Sequence, residues 1–247
     1  MDARHHFRAA VSAALLLALP PLFAAQAKSP DLAQLQKTLS ERLPKSKIVD
    51  IRPSPIPGLY EVFAGSSMFY SDSTGDYVFS GSLIDTRAQK DLTEARVNER
   101  NAIRFDSLPF DKAIKVVKGD GSRKLAVFTD PDCPYCKRLE EELKSVNNVT
   151  MYLFMFPLKQ IHPNAERHAK AIWCAENRAT AWTAWVLDKK EPEDKTCQND
   201  PVAATLQLGE KLNVNGTPTL YFEDGSRQAG MMEAADLEKK MNDARKG

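Results

Sequence analysis

A Cys-x-x-Cys tetrapeptide, Cys133-Pro134-Tyr135-Cys136, sits where a short apolar run meets a helix-forming stretch. Leu125 to Phe128, extended by Thr129-Asp130, reads as the strand before it. Lys137-Arg138-Leu139-Glu140 continues a helix behind it, to about Ser145. That placement puts the first cysteine at a helix N-terminus, where unpaired backbone N–H groups and the positive end of the helix dipole stabilise a thiolate. The thiolate is the species that attacks a disulfide. The second cysteine, one turn on, can close back on the first and release a trapped partner. Cys133 is therefore the expected nucleophile and Cys136 the resolving thiol.

Zinc is the rival use of such a pair. It would need two further ligands from Cys174, Cys197, His162 or His168. Cys174 and Cys197 stand far apart and form no second close pair, so redox chemistry is expected, with no metal and no cofactor. His162 and His168 read as surface or packing residues, and Trp173, Trp182 and Trp185 as core. Asp132 would oppose thiolate formation if close to Cys133; a helix-capping role is preferred.

Around this motif the chain alternates strand and helix. Ile114 to Val117, Leu125 to Phe128 and Val149 to Phe156 read as strands. Residues 162–212 read as mostly helical. Gly216-Thr217-Pro218 precedes the strand Thr219 to Phe222; Asp224-Gly225 then turns into another short strand, and Ala234 to Ala244 closes as an amphipathic helix. This is an α/β layout with a mixed sheet and a helical insertion. Beside the dithiol, Thr217 and Pro218 could leave the Thr217 backbone free to pair with a substrate strand.

The N-terminal half differs. Arg4, Arg8, the apolar stretch Ala9 to Phe23 and Ala25-Gln26-Ala27 read as a signal peptide over residues 1–27. The apolar run is shorter than the roughly 20 residues a membrane span needs. Of 34 basic and 33 acidic residues, the segment removes Arg4, Arg8 and Asp2, leaving a neutral mature chain. Nothing in that balance points to nucleic acid. Four cysteines in an exported chain suggest two pairs with separate tasks. Ser29-Pro30-Asp31 opens a helix carrying Leu32, Leu35, Leu39 and Leu43 on one stripe; Pro44 ends it. Strand-like segments follow at Lys47–Arg52, Leu59–Ala64, Ser67–Tyr70 and Asp76–Ser80. Residues 28–86 form an α+β unit, residues 87–110 a charged linker helix, and residues 111–247 the α/β unit.

Residues 111–247 resemble a thioredoxin-fold domain, and the mature chain resembles the bacterial periplasmic disulfide isomerase family of DsbC and DsbG. The resemblance rests on Val127-Phe128-Thr129-Asp130, Cys133-Pro134-Tyr135-Cys136, Ala171-Ile172-Trp173-Cys174-Ala175 and Val214-Asn215-Gly216-Thr217-Pro218. It implies a homodimer built on a cystatin-like N-terminal dimerisation domain, a cis Pro218, and substrate contacts from Thr217, Pro218, Pro134 and Tyr135. It implies a periplasmic location, misfolded disulfide-containing exported proteins as substrates, and an inner-membrane thiol reductase, similar to DsbD, that keeps Cys133 and Cys136 reduced. Pro134-Tyr135 resembles DsbG; the extra pair Cys174 and Cys197 resembles the structural disulfide of DsbC and carries more weight. The expected activity is thiol:disulfide isomerisation through a mixed disulfide at Cys133. A reductase that protects single cysteines, a holdase chaperone and a dithiol oxidase are the alternatives.

Overall fold

A computed structural model describes residues 31–245; the expected signal peptide, Ser29 and Pro30 lie outside them. Helix α1 (Leu32–Arg42) is capped by Asp31, whose carboxylate accepts from the amides of Ala33 (3.0 Å) and Gln34 (3.4 Å). The cap is thus the acid at the end of Ser29-Pro30-Asp31, because its oxygen reaches the second and third amides of the first turn. The helix buries Leu35 and Leu39 against Ile48, Ile51, Tyr60 and Val62. Those residues lie on β1 (Ile48–Pro53) and β2 (Leu59–Ala64), which continue through β3 (Ser67–Asp72) to β4 (Val78–Phe79) as an antiparallel meander.

The linker differs from the expected single helix over residues 87–110. A two-stranded ribbon, β5 (Ile84–Asp85) with β6 (Lys90–Asp91), comes first, and helix α2 spans only Leu92–Asn101. The start is delayed by Asp85, whose side chain accepts from the amides of Arg87 (2.9 Å) and Ala88 (3.0 Å) and holds them in a turn. Asp91 then caps α2 through the Glu94 amide (2.8 Å). Two short 3-10 turns, Phe105–Ser107 and Phe110–Lys112, complete the connection. α2 buries no residue fully, as its charged composition requires, yet it is anchored. Thr93 Oγ1 meets the Tyr70 hydroxyl at 2.5 Å and accepts the Leu83 amide at 2.8 Å. Arg96 pairs with the buried Glu61 at 3.2 Å.

The second sheet contains β7 (Ile114–Lys118), β8 (Arg123–Thr129), β9 (Val149–Met155), β10 (Thr219–Phe222) and β11 (Arg227–Ala229), in the spatial order β11-β10-β8-β9-β7. β8 and β9 are parallel and every other pairing is antiparallel. Period-two alternation along β8 feeds two cores. Leu125 and Val127 pack with Leu139, Leu143, Trp182 and Met241 on one side; Ala126 and Phe128 pack with Phe105, Phe154, Phe156 and Tyr221 on the other. The helices are α3 (Pro134–Leu143), α4 (Ala165–Trp173), α5 (Arg178–Val186), α6 (Val202–Lys211) and α7 (Ala234–Ala244).

The stretch expected to be mostly helical is interrupted, since residues 187–201 form no regular element. They are held by side chains instead: Arg167 pairs with Glu191 and Asp194, both at 2.7 Å, and Cys174 is bonded to Cys197 with an S–S distance of 2.03 Å. The two halves of the chain are also pinned together. Ile103 donates its amide to Gly225 O at 3.1 Å, and a Cβ at Gly225 (φ +80°) would lie 1.9 Å from Ile103 O. Only glycine permits that approach.

Candidate active site

The dithiol lies at the joint between β8 and α3. Asp130-Pro131-Asp132 turns the chain, the Cys133 amide donates back to Asp130 O at 3.2 Å, and Cys133 becomes the residue immediately before the helix. Pro134 occupies the first helical turn, where a missing N–H costs nothing. Lys137 N donates to Cys133 O at 3.2 Å as the helix begins. Pro134 and Tyr135 are exposed, Tyr135 at 57%. Both cysteines are free thiols; Cys133 is 4% exposed and Cys136 1%.

Their environments separate the two thiols. The Cys133 thiol is brought down from 9.0 to about 5, first by a hydrogen bond from Cys136, then by Thr217 and the amides of Cys136 and Tyr135, against the opposing effect of burial. The Cys136 thiol is pushed well above its ordinary value, chiefly by burial and then by the neighbouring Cys133. One sulfur is thus prepared to carry negative charge at neutral pH and the other to hold a proton. Across the site Thr217 and Pro218 are joined by a cis peptide bond, and Cys133 Sγ lies 3.3 Å from Thr217 O. Cys133, Cys136, Thr217 and Pro218 converge on one point. Cys174 and Cys197 do not join them and are bonded to each other.

Two histidines belong to this site although nothing beside them in the sequence marks them. His162 Nδ1 lies 2.9 Å from Asp130 Oδ2, and that fully buried carboxylate also accepts the Leu158 and Asp132 amides at 2.7 and 2.8 Å. His168 Nδ1 lies 2.7 Å from Asp132 Oδ1. The expected capping role of Asp132 is therefore not what its side chain does: no side chain caps α3, and Asp132 is engaged by His168 and by Trp185 Nε1, at 3.2 Å. The reason is reach, because α4 and α5 present both rings to the turn. Trp185 also donates to Pro131 O at 2.9 Å, packs tilted against His168 with ring centroids 4.5 Å apart, and carries Lys137 Nζ 4.9 Å above its ring. Trp185 is only partly buried, unlike Trp173 and Trp182. Ile161, beside His162, is 67% exposed. Among the described residues no cluster of His, Cys, Asp and Glu has the form of a metal site.

Residues 110–245 match the thioredoxin-like domain family, and residues 26–94 match the disulfide bond isomerase protein N-terminal domain. The probable thiol:disulfide interchange protein DsbC of Bordetella avium is 38% identical over 216 residues, covering 87% of this chain and 76% of that one. The chain belongs to the DsbC family of thiol:disulfide interchange proteins. DsbC of Escherichia coli K12 is 28% identical over 236 residues, 94% of this chain and 96% of that one. A disulfide interchange protein from Neisseria gonorrhoeae, solved by crystallography, superposes with a TM-score of 0.54 at 47% identity, over 56% of this chain and 98% of that one. DsbC membership makes the chain an enzyme of thiol–disulfide exchange with a thioredoxin-like domain and a separate N-terminal domain. No helix among the described residues is long and apolar enough to cross a membrane.

Proposed function

We propose that Cys133 is the nucleophile of a disulfide isomerase acting on misfolded exported proteins in the periplasm, and that the enzyme works as a homodimer. The observation that carries the reading is the division of labour between the thiols: Cys133, at the helix mouth beside Thr217, is brought down to about 5, while the buried Cys136 is pushed up. The Cys133 thiolate attacks one sulfur of a substrate disulfide, forming a mixed disulfide and expelling the other substrate sulfur as a thiolate. That released thiolate attacks a second disulfide within the substrate, or returns to regenerate Cys133. If neither occurs, Cys136 loses its proton and attacks Cys133 Sγ. The substrate then leaves reduced and Cys133–Cys136 remains oxidised, to be reduced by an inner-membrane thiol reductase similar to DsbD. Thr217 supplies backbone groups for an extended substrate segment, Pro218 forms the opposite wall, and Pro134, Tyr135 and Ile161 offer the exposed surface around the thiol.

The dimer reading rests on the first sheet. Its edge strand β4 and the preceding residue expose Tyr77, Val78 and Phe79, an apolar edge of the kind that pairs with another strand. A second copy pairing through β4 covers that edge in both protomers by two-fold symmetry. The Cys174–Cys197 bond is structural, since it fixes residues 187–201 and takes no part in the dithiol. Refolding of a protein with scrambled disulfides tests the central claim. Recovery of its activity should require Cys133, and Cys133→Ala should abolish it; recovery that survives Cys133→Ala would leave only a chaperone.

A further inference from the structure

A cavity of about 560 Å³ lies behind the Thr217-Pro218 turn, bounded by β11, the start of β3 and helix α2. Arg227 lines it. This arginine is 8% exposed, and its Nε and Nη1 have no hydrogen-bond partner. Thr217 lines the same space, but its hydroxyl is a hydrogen-bond partner of the Cys133 sulfur and helps to lower that thiol. Arg227 Nε and Nη1 are the only buried side-chain nitrogens left without a hydrogen bond among the described residues. No acidic side chain lines the cavity, and Tyr221, which faces Arg227 across the β10–β11 pairing, donates its hydroxyl to Leu212 O at 3.3 Å. Burial lowers the Arg227 pKa, and Tyr221 offsets only part of that. Buried charges in folded proteins are ordinarily paired, so a guanidinium facing open volume is complementary to an anion that arrives from outside. A guanidinium matches a carboxylate, which accepts two of its N–H groups at once.

We propose that Arg227 anchors a subsite for a substrate carboxylate, which makes the enzyme favour cysteines flanked by acidic groups. The inference rests on Cys133 exchange and deepens it, because Thr217 belongs both to the wall of the dithiol site and to this cavity. The N-terminal half takes part in the subsite: Ser66 and Val97 line the same space, and Asn215 Nδ2 donates to Ser66 Oγ at 2.7 Å, tying the turn between β2 and β3 to the segment that leads into Thr217. A carboxylate reaching the subsite could come from an aspartate or glutamate side chain or from a peptide C-terminus.

The test compares reduction rates of synthetic peptide disulfides by the full-length mature protein. One series has blocked ends and either glutamate or glutamine at each position neighbouring the cysteine; another has glutamine and a free C-terminal carboxylate. A neutral disulfide, bis(2-hydroxyethyl) disulfide, reports the dithiol alone. Wild type should prefer a carboxylate-bearing peptide over its neutral twin by about tenfold, as expected for one charge-assisted hydrogen-bonded pair, with the difference residing in KM. The series showing the preference identifies the source of the carboxylate. Arg227→Met should erase the preference and leave the neutral disulfide rate unchanged. Equal rates for charged and neutral peptides in wild type would overturn the subsite without reference to any variant, and so would a preference that persists in Arg227→Met. Loss of the neutral disulfide reaction in wild type would instead overturn the assignment of the dithiol.

Discussion

Replacing Cys136 by alanine should raise the pKa of Cys133. The thiol stands at about 5 against 9.0 for an ordinary cysteine, a preference for thiolate of about 5 kcal/mol at 1.36 kcal/mol per unit. The hydrogen bond from Cys136 is the largest contribution to it, ahead of Thr217 and the helix amides. A hydrogen bond to a charged group is worth about 1.5–3 kcal/mol, so its loss corresponds to about one to two units and moves Cys133 to about 6–7. At pH 6 the thiolate fraction should fall from about 90% in wild type to about 10–50% in Cys136→Ala. The rate of alkylation by iodoacetamide, followed from pH 4 to pH 9, reads this directly, because the thiolate alone reacts. An unchanged midpoint in the variant would refute the reasoning and would assign the low pKa to the helix mouth and Thr217.

Stability of the reduced enzyme should depend on pH. Because the folded-state pKa of Cys133 is depressed, the stabilisation is fully present above about 9 and is lost as pH falls towards about 5; Cys136, shifted upward, acts only above its unfolded value. Denaturant titrations of the reduced and oxidised forms at pH 5 and pH 8 should therefore diverge, and parallel curves would contradict the thiolate. Replacing Cys174 and Cys197 together by alanine should cost about 3 kcal/mol by the chain-entropy estimate for a bridge spanning 23 residues, measured by denaturation with the dithiol reduced in both proteins. Removing residues 28–86 should leave a monomer that still reduces small disulfides but rearranges scrambled proteins poorly. Sedimentation of the full-length protein as a monomer at micromolar concentration, or full isomerase activity in the truncated form, would defeat the dimer reading.

Elements with short-range causes were legible in the sequence. Leu59–Ala64, Thr219–Phe222 and Ala234–Ala244 have the bounds their patterning implies, and the Cys-x-x-Cys tetrapeptide lies between a strand and a helix because the period of apolar residues changes there. The linker was harder to read. A charged stretch suits a long helix, but the side-chain oxygen of Asp85 closes a turn first, a competition that composition alone does not reveal. His162 and His168 were the largest gap at the site. They reach Asp130 and Asp132 across 32 and 36 residues, through the packing of the helical insertion onto the turn. A faint signal existed: His168 shares a helix with Ala165, Ala169 and Ile172, all buried, so a polar ring there needed a polar partner. Nothing in the sequence marks Arg227, because a strand arginine ordinarily reaches solvent.

The two cysteine pairs are consecutive along the chain, Cys133 with Cys136 and Cys174 with Cys197. A polypeptide that enters an oxidising space N-terminus first, its cysteines joined in the order they emerge, obtains the Cys174–Cys197 bond without trespassing on the earlier pair. Maturation of the protein thus needs oxidation in chain order and no reshuffling. Were its permanent bridge to cross over the dithiol, as Cys133 with Cys174 or Cys136 with Cys197 would, newly made copies would require working copies to correct them. The connectivity frees the first isomerase in a cell from depending on an isomerase.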